Sequence, residues 1–598
     1  MKAVATGSHS TARSTTTDRY GSGCSFMGMS SKRESDTEVL LRAYAQWGRE
    51  CLAQLNGMFA FAIWDRRERC LFAARDRLGI KPFYWASRGS ALLFASEIKS
   101  TIGVSGLVEV AADNETEMNP WHFPSAPRTG FEGNQKLPAG HTLEWRDGQV
   151  SVKPWWQVTI GSDDSESRVL EEELADLLAS ALDLQMISDV PIGALLSGGL
   201  DSSLVVALMR RRTTSSVRTF TIGFRDEDRR FESMSRDDLY ARGIAARLGC
   251  QHSEIVITPD VLSLLPELVW HMDEPIADPA AINTALISRA ARDAGVVVLL
   301  NGMGADEIFG GYRKHMACLL ADSYRALLPS WLRSLAESAG QRISVAGAAS
   351  GYRRRRWLRR FLGFASLDRI PRFLQSDLSI DPGLYARLFE RSHEMPYTAL
   401  QEVAHRCVPF SGRGVSYLQQ MCLSDTTIFL PDHNLTYTDK ASMAAGVEGR
   451  PPIIDHRIVE FAFRLADRER IHRSTQKAIL RRVAGRWLPA EVLRRPKAPF
   501  GAPLRSWIRG ALAPMVSEYL SERSMKQRGV LVPSVLLRKI QADRAGAEDH
   551  SHLIWTLLSR ETWYREFIDA AGRRVRDAAA LRSSAREIEW MGAFSRGS

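Results

Sequence analysis

Apolar and polar residues alternate along the first part of the chain, between residues 38 and 100. The clearest runs are residues 59–64 and 92–95, and charged or glycine-containing turns separate them. Alternation with a period of two is typical of β-strands that bury one face. The pattern therefore predicts a β-rich front domain, followed by a long connection through residues 105–165, where Asn, Pro and Gly cluster.

The pattern changes at Ser167, which we expect to cap a helix because apolar residues then recur with helical spacing. Helical stretches near residues 202–212, 236–249 and 280–294 separate the next apolar runs. Those runs lie at residues 191–196, 217–224, 254–258 and 295–300. Strands that alternate with helices predict a parallel sheet covered on both faces, with its functional loops at the carboxyl ends of the strands. Beyond residue 312 the pattern is mainly helical to about residue 570, although we find no clear organisation in residues 325–395.

The composition excludes several classes of protein. The chain has 598 residues, of which 44% are hydrophobic and 25% charged, and this predicts a globular protein of two or three domains. No apolar run is long enough to cross a bilayer, and residues 1–31 lack the apolar stretch of a secretory signal. The seven cysteines show no CxxC spacing, which argues against a zinc site or a disulfide framework. We expect a cytoplasmic location and no membrane partner.

The net charge of +10 raises the question of a nucleic-acid partner. Much of the excess is local, because residues 353–356 are all arginine and Arg359 and Arg360 follow closely. Sequence-specific recognition also needs an element that fits a groove. We therefore interpret this cluster as a solvated helix face and do not expect a nucleic-acid partner.

The strongest chemical signal is the segment LLSGGLDSS at residues 195–203, between a predicted strand and a predicted helix. Its paired glycines allow backbone N–H groups to close on an anion, and its serines add hydroxyl donors. Asp201 needs a cation between itself and a phosphate, and Mg²⁺ meets that need. The alternative is an ordinary strand-to-helix turn with an Asp cap. The residues predicted here to bind a nucleotide are Leu195, Ser197, Gly198, Gly199, Asp201 and Ser202.

A second glycine-rich segment, NGMGADEIFGGY at residues 301–312, follows the apolar run that ends at Leu300. It repeats the same arrangement after another strand. Asp306 is a candidate for a second carboxylate on Mg²⁺, and Asn301 and Gly302 are candidates for nucleotide contacts. Taken alone, the Asp-Glu pair could also mark only the start of a helix.

Together these segments resemble the two ATP-pyrophosphatase loops of the asparagine synthetase family, and the likeness extends over residues 35–509. The resemblance implies an α/β fold, with a C-terminal ATP-pyrophosphatase-type parallel sheet (adenine nucleotide α-hydrolase-like). A partial, β-rich glutaminase domain of the Ntn type precedes it. The further segments similar to this family are residues 220–224, 273–279, 437–443, 446–455, 476–481 and 497–501.

The resemblance also implies a reaction. A substrate carboxylate attacks the α-phosphate of ATP, and ammonia then displaces AMP from the acyl-adenylate to form an amide. It assigns catalytic roles to Lys477, Asp201 and Asp306, Mg²⁺ binding to the two aspartates, and a backbone contact with adenine to Ile222. ATP and Mg²⁺ are the implied cofactors, and aspartate is the expected acceptor.

The front domain departs from the family pattern. Residues 35–41, 55–65 and 75–82 resemble the later part of a glutamine amidotransferase domain, yet Lys2 stands where a nucleophilic Cys normally follows the initiator Met. Asp36 is the one recognisable glutamine-binding residue. We therefore expect ammonia rather than glutamine as nitrogen donor, with a mis-assigned start of the gene as the alternative. The expected segments are a disordered 1–34, a truncated amidotransferase-like domain at 35–160, a ligase domain at 165–570 and a tail at 571–598.

Met303 is the second departure, because asparagine synthetases usually have Glu at this position and β-lactam synthetases have Tyr. Methionine carries no charge and only a weak acceptor sulfur. A carboxylate of secondary-metabolite or polysaccharide biosynthesis is therefore an alternative acceptor. A decayed paralogue that only binds a partner is a further alternative, and a homodimer is left open.

Overall fold

The computed structural model describes residues 2–5, 35–105, 108–111, 123–232, 234–258, 264–343, 352–378, 380, 382–389, 414–495 and 501–569. The tail predicted at 571–598 lies outside these residues, as does most of the segment 1–34. Among the described residues, no helix has the length and apolar character that a bilayer crossing requires.

We call residues 35–160, together with a short strand near the start of the chain, the front domain. The described residues of this part form eight strands, β1 to β8, which in chain order are Lys2–Ala5, Ala60–Asp65, Cys70–Arg75, Tyr84–Arg88, Ala91–Ala95, Gln135–Lys136, His141–Arg146 and Gln149–Pro154. They make two antiparallel sheets, one of order β1-β2-β3-β7-β8 and the other of order β5-β4-β6.

Alternation along β2 assigns its side chains to two cores. Phe61 and Ile63 pack beneath the helix Asp36–Trp47, whereas Ala62 faces the second sheet and packs near Phe83. The result is a layer of helix on two stacked sheets, as the alternation predicts for strands buried on one face or both.

Residues 2–5 differ from the expectation of a disordered segment. They form β1, which pairs antiparallel with β2, so that Lys2 lies opposite Trp64. The edge of β2 therefore has a hydrogen-bonding neighbour, as an exposed edge strand requires.

The C-terminal domain, residues 165–569, is built on a five-stranded parallel sheet of order β11-β10-β9-β12-β13. The four predicted strands are all present. The fifth, β13, has only three residues, one of them glycine, and no apolar run in the sequence marks it. In chain order, β9 to β13 are Ile192–Leu195, Arg218–Phe224, Gln251–Ile257, Val298–Leu300 and Glu448–Arg450.

Helices cover this sheet, and further helices extend the domain beyond it. Ser167 was predicted to cap the helix Ser167–Gln185, but Glu166 occupies the cap position. The Ser167 hydroxyl instead donates to Glu469 at 2.8 Å. Around the sheet the main helices are Ser167–Gln185, Leu200–Arg212, Asp237–Arg247, Leu265–Met272 and Ala280–Asp293. The longer helices beyond the sheet are Arg313–Leu327, Ser330–Gln341, Tyr352–Ala365, Arg369–Asp377, His456–Arg464, Pro533–Arg544 and Ser551–Trp563.

One long helical stretch contains a π-helix. The α-helix Tyr417–Ser424 continues into a π-helix, Asp425–Leu435, and then into the α-helix Thr436–Met443. Pro431 lies inside the π-helix and has no N–H to donate. Such wide turns recur at functional sites. Several residues of this π-helix line a cavity at the edge of the parallel sheet.

Candidate active site

A cavity of about 680 Å³ opens at the carboxyl ends of β9 and β12. These strands are hydrogen-bonded neighbours, so the loops that follow them meet at one edge of the sheet. The cavity wall includes all but one of the residues predicted to bind nucleotide. The predicted nucleotide-binding residues in the wall are Leu195, Ser197, Gly199, Asp201, Ser202, Ile222, Asn301 and Gly302. The predicted catalytic residues Asp306 and Lys477 also line the cavity. The exception, Gly198, belongs to the same loop and has a φ of 68°.

The first loop is closed by its own serines. The Ser202 hydroxyl accepts from the Ser197 backbone N–H at 3.2 Å, and the two serine hydroxyls lie 3.0 Å apart. The helix Leu200–Arg212 follows this loop. Gly199 occupies its cap position and has no side chain to bind the first N–H groups of the helix. Those groups and the helix dipole favour an anion at this end of the cavity.

The second loop packs directly on the first. A Cβ atom at Gly302 would lie 2.6 Å from the Ser202 backbone nitrogen, so only glycine allows this approach. A Cβ at Gly311 would collide with Asp306 and Lys477. The glycines therefore allow the two predicted carboxylates to come near one lysine.

Lys477 lies between the two aspartates. Its Nζ atom is 2.6 Å from Asp201 Oδ2 and 2.7 Å from Asp306 Oδ1. The backbone of Lys477 has a φ of 52°, a left-handed conformation that costs a non-glycine residue about 1 kcal/mol or more. Strain of this kind persists only where the surroundings impose it, and here it directs the lysine side chain into the cavity.

The site fits a magnesium ion through two carboxylates rather than through a protein cage. Among the described residues, no group of three or more His, Cys, Asp or Glu side chains is arranged to hold a metal. Mg²⁺ commonly uses one or two carboxylates and takes its other ligands from phosphate and water. Asp201 Oδ1 is buried and forms no hydrogen bond within the described part of the chain, so it is a suitable ligand.

Two arginines add positive charge around the loops. Burial lowers the pKa of Arg481, although Asp201 and Asp306 act in the opposite direction. Arg495 donates to the Ser197 carbonyl at 3.2 Å and lies 4.1 Å from the centre of the Tyr240 ring. Lys477, Arg481 and Arg495 therefore place positive charge beside the two glycine-rich loops, where an anionic nucleotide would bind.

An aromatic wall lines the cavity next to Met303. Met303 accepts a hydrogen bond from the Thr438 hydroxyl through its sulfur, at 3.6 Å. Beyond Thr438 the wall consists of stacked and edge-on rings, with centroids between 4.7 and 5.9 Å apart. Its members are Phe123, Phe429, His433 and Tyr437.

No pattern in the sequence indicates a role for this wall. Phe123 follows a stretch without periodicity, and Phe429 and His433 belong to the π-helix, whose spacing differs from that of an α-helix. An interrupted helical pattern around Pro431 was the only local signal. Tyr437 lay in a segment that matched the family, but the match gave it no function.

The sequence also did not predict a role in the site for Glu307, although this residue directly follows Asp306. Its carboxylate lines the cavity and accepts from the Tyr312 hydroxyl at 2.7 Å and from the Asn434 amide at 2.6 Å. Burial, together with the nearby Asp306 charge, raises the pKa of Glu307 to about 7. These bonds tie the second loop to the π-helix.

The glutamine-binding candidate lies elsewhere. Asp36 begins the helix Asp36–Trp47, directly after its cap Ser35, and is not part of the cavity wall. The described cysteines of the front domain, Cys51 and Cys70, are both buried. Burial raises the pKa of both thiols, that of Cys51 to about 12, so neither is suited to act as a nucleophile.

Comparison with known proteins agrees with this geometry. A family model described as asparagine synthase matches residues 173–565, more than half of the chain, and one described as a glutamine amidotransferase domain matches residues 25–156. A protein of Mycobacterium tuberculosis, named a putative glutamine-hydrolysing asparagine synthetase, is 31% identical over 549 residues. That alignment covers 90% of this chain and 80% of the relative.

Two further relatives bear on the range of the family. Glutamine-hydrolysing asparagine synthetase 1 of Bacillus subtilis is 29% identical over 540 residues, covering 90% of this chain and 82% of the relative. Amidase chyE of Penicillium rubens is 27% identical over 542 residues, covering 83% of this chain and 77% of the relative. The chain belongs to the asparagine synthase family and is a carbon–nitrogen ligase with an amidotransferase-type front domain.

Proposed function

We propose that the chain joins a carboxylic acid to ammonia at the expense of ATP, through an acyl-adenylate. One carboxylate oxygen attacks the α-phosphorus, and the bond to the β-phosphate oxygen breaks, so pyrophosphate leaves. Ammonia then attacks the acyl carbon, AMP departs with the oxygen that came from the acid, and one proton is released. The observation that carries this proposal is the placement of Asp201, Asp306 and Lys477 around one cavity between two glycine-rich loops.

Each of these groups has a task in the scheme. The N–H groups at the start of the helix Leu200–Arg212 would bind phosphate oxygens, and Ile222 would contact adenine through its backbone. Lys477 supplies a fixed positive charge close to the reacting phosphate, where negative charge develops. Asp201 and Asp306 would hold Mg²⁺ together with phosphate oxygens, and the ion would offset part of the triphosphate charge.

Aspartate is the first candidate for the acid. The relatives named as asparagine synthetases support it, and the chain aligns with them over most of its length. A second candidate function is amide formation on a different acid. Met303 favours it, because its thioether offers no charged partner to the amino or second carboxyl group of aspartate.

Ammonia is the proposed nitrogen donor for this chain. The raised thiol pKa values of Cys51 and Cys70 support the proposal, since a glutaminase of this kind needs an accessible thiolate. The cytoplasmic location and the homodimer stay predictions.

The test is pyrophosphate release with Mg·ATP, measured for aspartate and a panel of other carboxylic acids. Each acid is paired with ammonium and, separately, with glutamine. We expect turnover that depends on one acid and on ammonium, with AMP formed in equal amount. Release of ADP, or no acid-dependent release, would refute the ligase proposal, and equal rates with glutamine would refute only the choice of donor.

A further inference from the structure

Of the front-domain residues that the structure describes, one reaches into the cavity of the C-terminal domain. Phe123 is 3% exposed and belongs to the cavity wall. Its ring centroid lies 5.0 Å from that of His433 and 5.9 Å from that of Phe429. Aromatic pairs at these separations contribute beyond their buried area, so the contact is a packed one.

Phe123 lies on the Met303 side of the cavity. His433 connects the two, because its ring is 5.5 Å from that of Tyr437 and the next residue, Thr438, donates to the Met303 sulfur. The His433 imidazole also lies 3.4 Å from Asp278, another wall residue. Met303 belongs to the second glycine-rich loop, so this chain of contacts places Phe123 in the part of the wall that adjoins that loop. Because the acid must reach the α-phosphorus of ATP, Phe123 borders space that the acid can occupy.

The segment that follows Phe123 is fixed by buried polar contacts. The Ala126 N–H donates to Asp432 of the π-helix at 2.8 Å. Lys136, which is 2% exposed, donates to the Pro124 carbonyl at 2.6 Å and lies 3.0 Å from Glu274. Glu274 is fully buried, and a buried charge needs a partner of opposite sign.

Residues 274–279 lead from the buried Glu274 to the wall of the cavity. Ala277, Asp278 and Pro279 all belong to the wall. On its other side the stretch accepts a hydrogen bond from the Trp555 indole to the Ala277 carbonyl, at 3.0 Å. Lys136 therefore connects the Phe123 segment and the Asp278 segment at a single buried point.

We propose that Phe123 is a specificity-determining residue of the ligase site, supplied by the front domain, and that Lys136 is its positioning residue. This inference rests on the proposed function. Phe123 closes the acid side of the cavity with an apolar face, so it selects for acids whose body packs against an aromatic ring and limits their size. The front domain thus shapes acid recognition irrespective of the nitrogen donor.

The test compares Phe123→Leu with a matched control, Phe131→Leu. Phe131 is a buried aromatic residue of the same domain that packs on Trp563 and Phe567, away from the cavity wall. Pyrophosphate release is measured for the panel of acids at saturating Mg·ATP and ammonium. For Phe123→Leu we expect kcat/KM for the preferred acid to fall by about tenfold and bulkier acids to gain relative to it. The KM for ATP stays within twofold.

Lys136→Met provides the second variant. We expect the KM for the acid to rise and the KM for ATP to stay unchanged, and Lys136→Met with Glu274→Gln to recover part of the loss, because the second change removes the unpaired charge. A purely structural role would change both KM values or neither.

Three results would overturn the inference. Equal acid profiles of Phe123→Leu and Phe131→Leu would show that the ring does not select the acid. A change confined to the KM for ammonium would assign Phe123 to the donor path instead. Absence of pyrophosphate release from the unmodified protein with every acid would overturn both the inference and the proposed function, whereas the first two results leave the ligase proposal intact.

Discussion

The two domains use their buried charges differently. In the C-terminal domain, Asp201, Asp306 and Lys477 lie in the wall of a cavity, where a ligand can reach them. In the front domain, two buried lysines and the half-buried Lys99 instead pair with carboxylates of the C-terminal domain. The pairs are Lys81 with Asp439, Lys99 with Asp273 and Lys136 with Glu274, at 2.8 to 3.0 Å.

This contrast indicates what the front domain contributes. Removing one partner of a buried ion pair leaves an uncompensated charge, which is more costly than losing the attraction itself. The front domain is therefore part of the scaffold of the ligase site, and its contribution does not depend on glutamine hydrolysis.

Asp201→Asn is expected to abolish most of the activity. The amide keeps the shape of the side chain but cannot provide the negative charge that Mg²⁺ and Lys477 need, so pyrophosphate release should fall by about 10³-fold. The melting temperature should stay near that of the unmodified protein, because the side chain faces the cavity. A variant that retains more than a tenth of the activity would contradict the assignment of Asp201.

Lys81→Met is expected to destabilise the protein by about 3 kcal/mol, because it leaves the mostly buried Asp439 carboxylate without its partner. Urea unfolding followed by fluorescence measures the change. Lys81→Met with Asp439→Asn should recover part of it. The matched control is Lys526→Met, which removes an exposed pair with Glu522 and should change the free energy of unfolding much less. Equal losses for the two single variants would count against the scaffold role.

Lys477→Arg should reduce kcat by about tenfold to a hundredfold while the KM for the acid changes little. The guanidinium keeps the charge, but it is planar and cannot place one compact cation between two carboxylates. Lys477→Met removes the charge and should lose more. Similar rates for the arginine variant and the unmodified protein would show that the position of the charge matters less than proposed.

The smallest effect concerns the thiols. Burial raises the pKa of Cys51 and of Cys422 to about 12, so about one thiol in 10,000 is a thiolate at pH 8. Iodoacetamide should therefore leave both unmodified in the native protein and label them after unfolding in urea. The labelling should rise as the pH increases towards 12. Rapid native labelling of Cys51 at pH 8 would contradict its burial and reopen the question of a front-domain nucleophile.

Much of the fold could be predicted from the sequence. Alternation gave the front strands, helical spacing gave the helix Ser167–Gln185, and the apolar runs gave the first four strands of the parallel sheet. Each signal came from one face of an element packing on a core. Strands β1 and β13 have four and three residues, too few for a periodic pattern, and their pairing is set by neighbours distant in the chain.

The two glycine-rich loops of the candidate site could be predicted from the sequence, whereas its aromatic wall could not. Asp201 and Asp306 stand in loops whose glycines are visible in the sequence, and their common contact with Lys477 agrees with the expected edge of the sheet. The aromatic wall was not predictable, because Phe123 and His433 are brought together from two domains, and single aromatic residues in a sequence are usually core. Contacts between distant segments leave no local pattern.

The most direct test of the account follows the oxygen of the acid. The preferred acid is labelled with ¹⁸O in its carboxylate and turned over with Mg·ATP and ammonium, and the products are analysed by mass spectrometry. The account predicts one labelled oxygen in each AMP and none in pyrophosphate, because the acid attacks the α-phosphorus. Label in inorganic phosphate, or AMP that carries none, would contradict it.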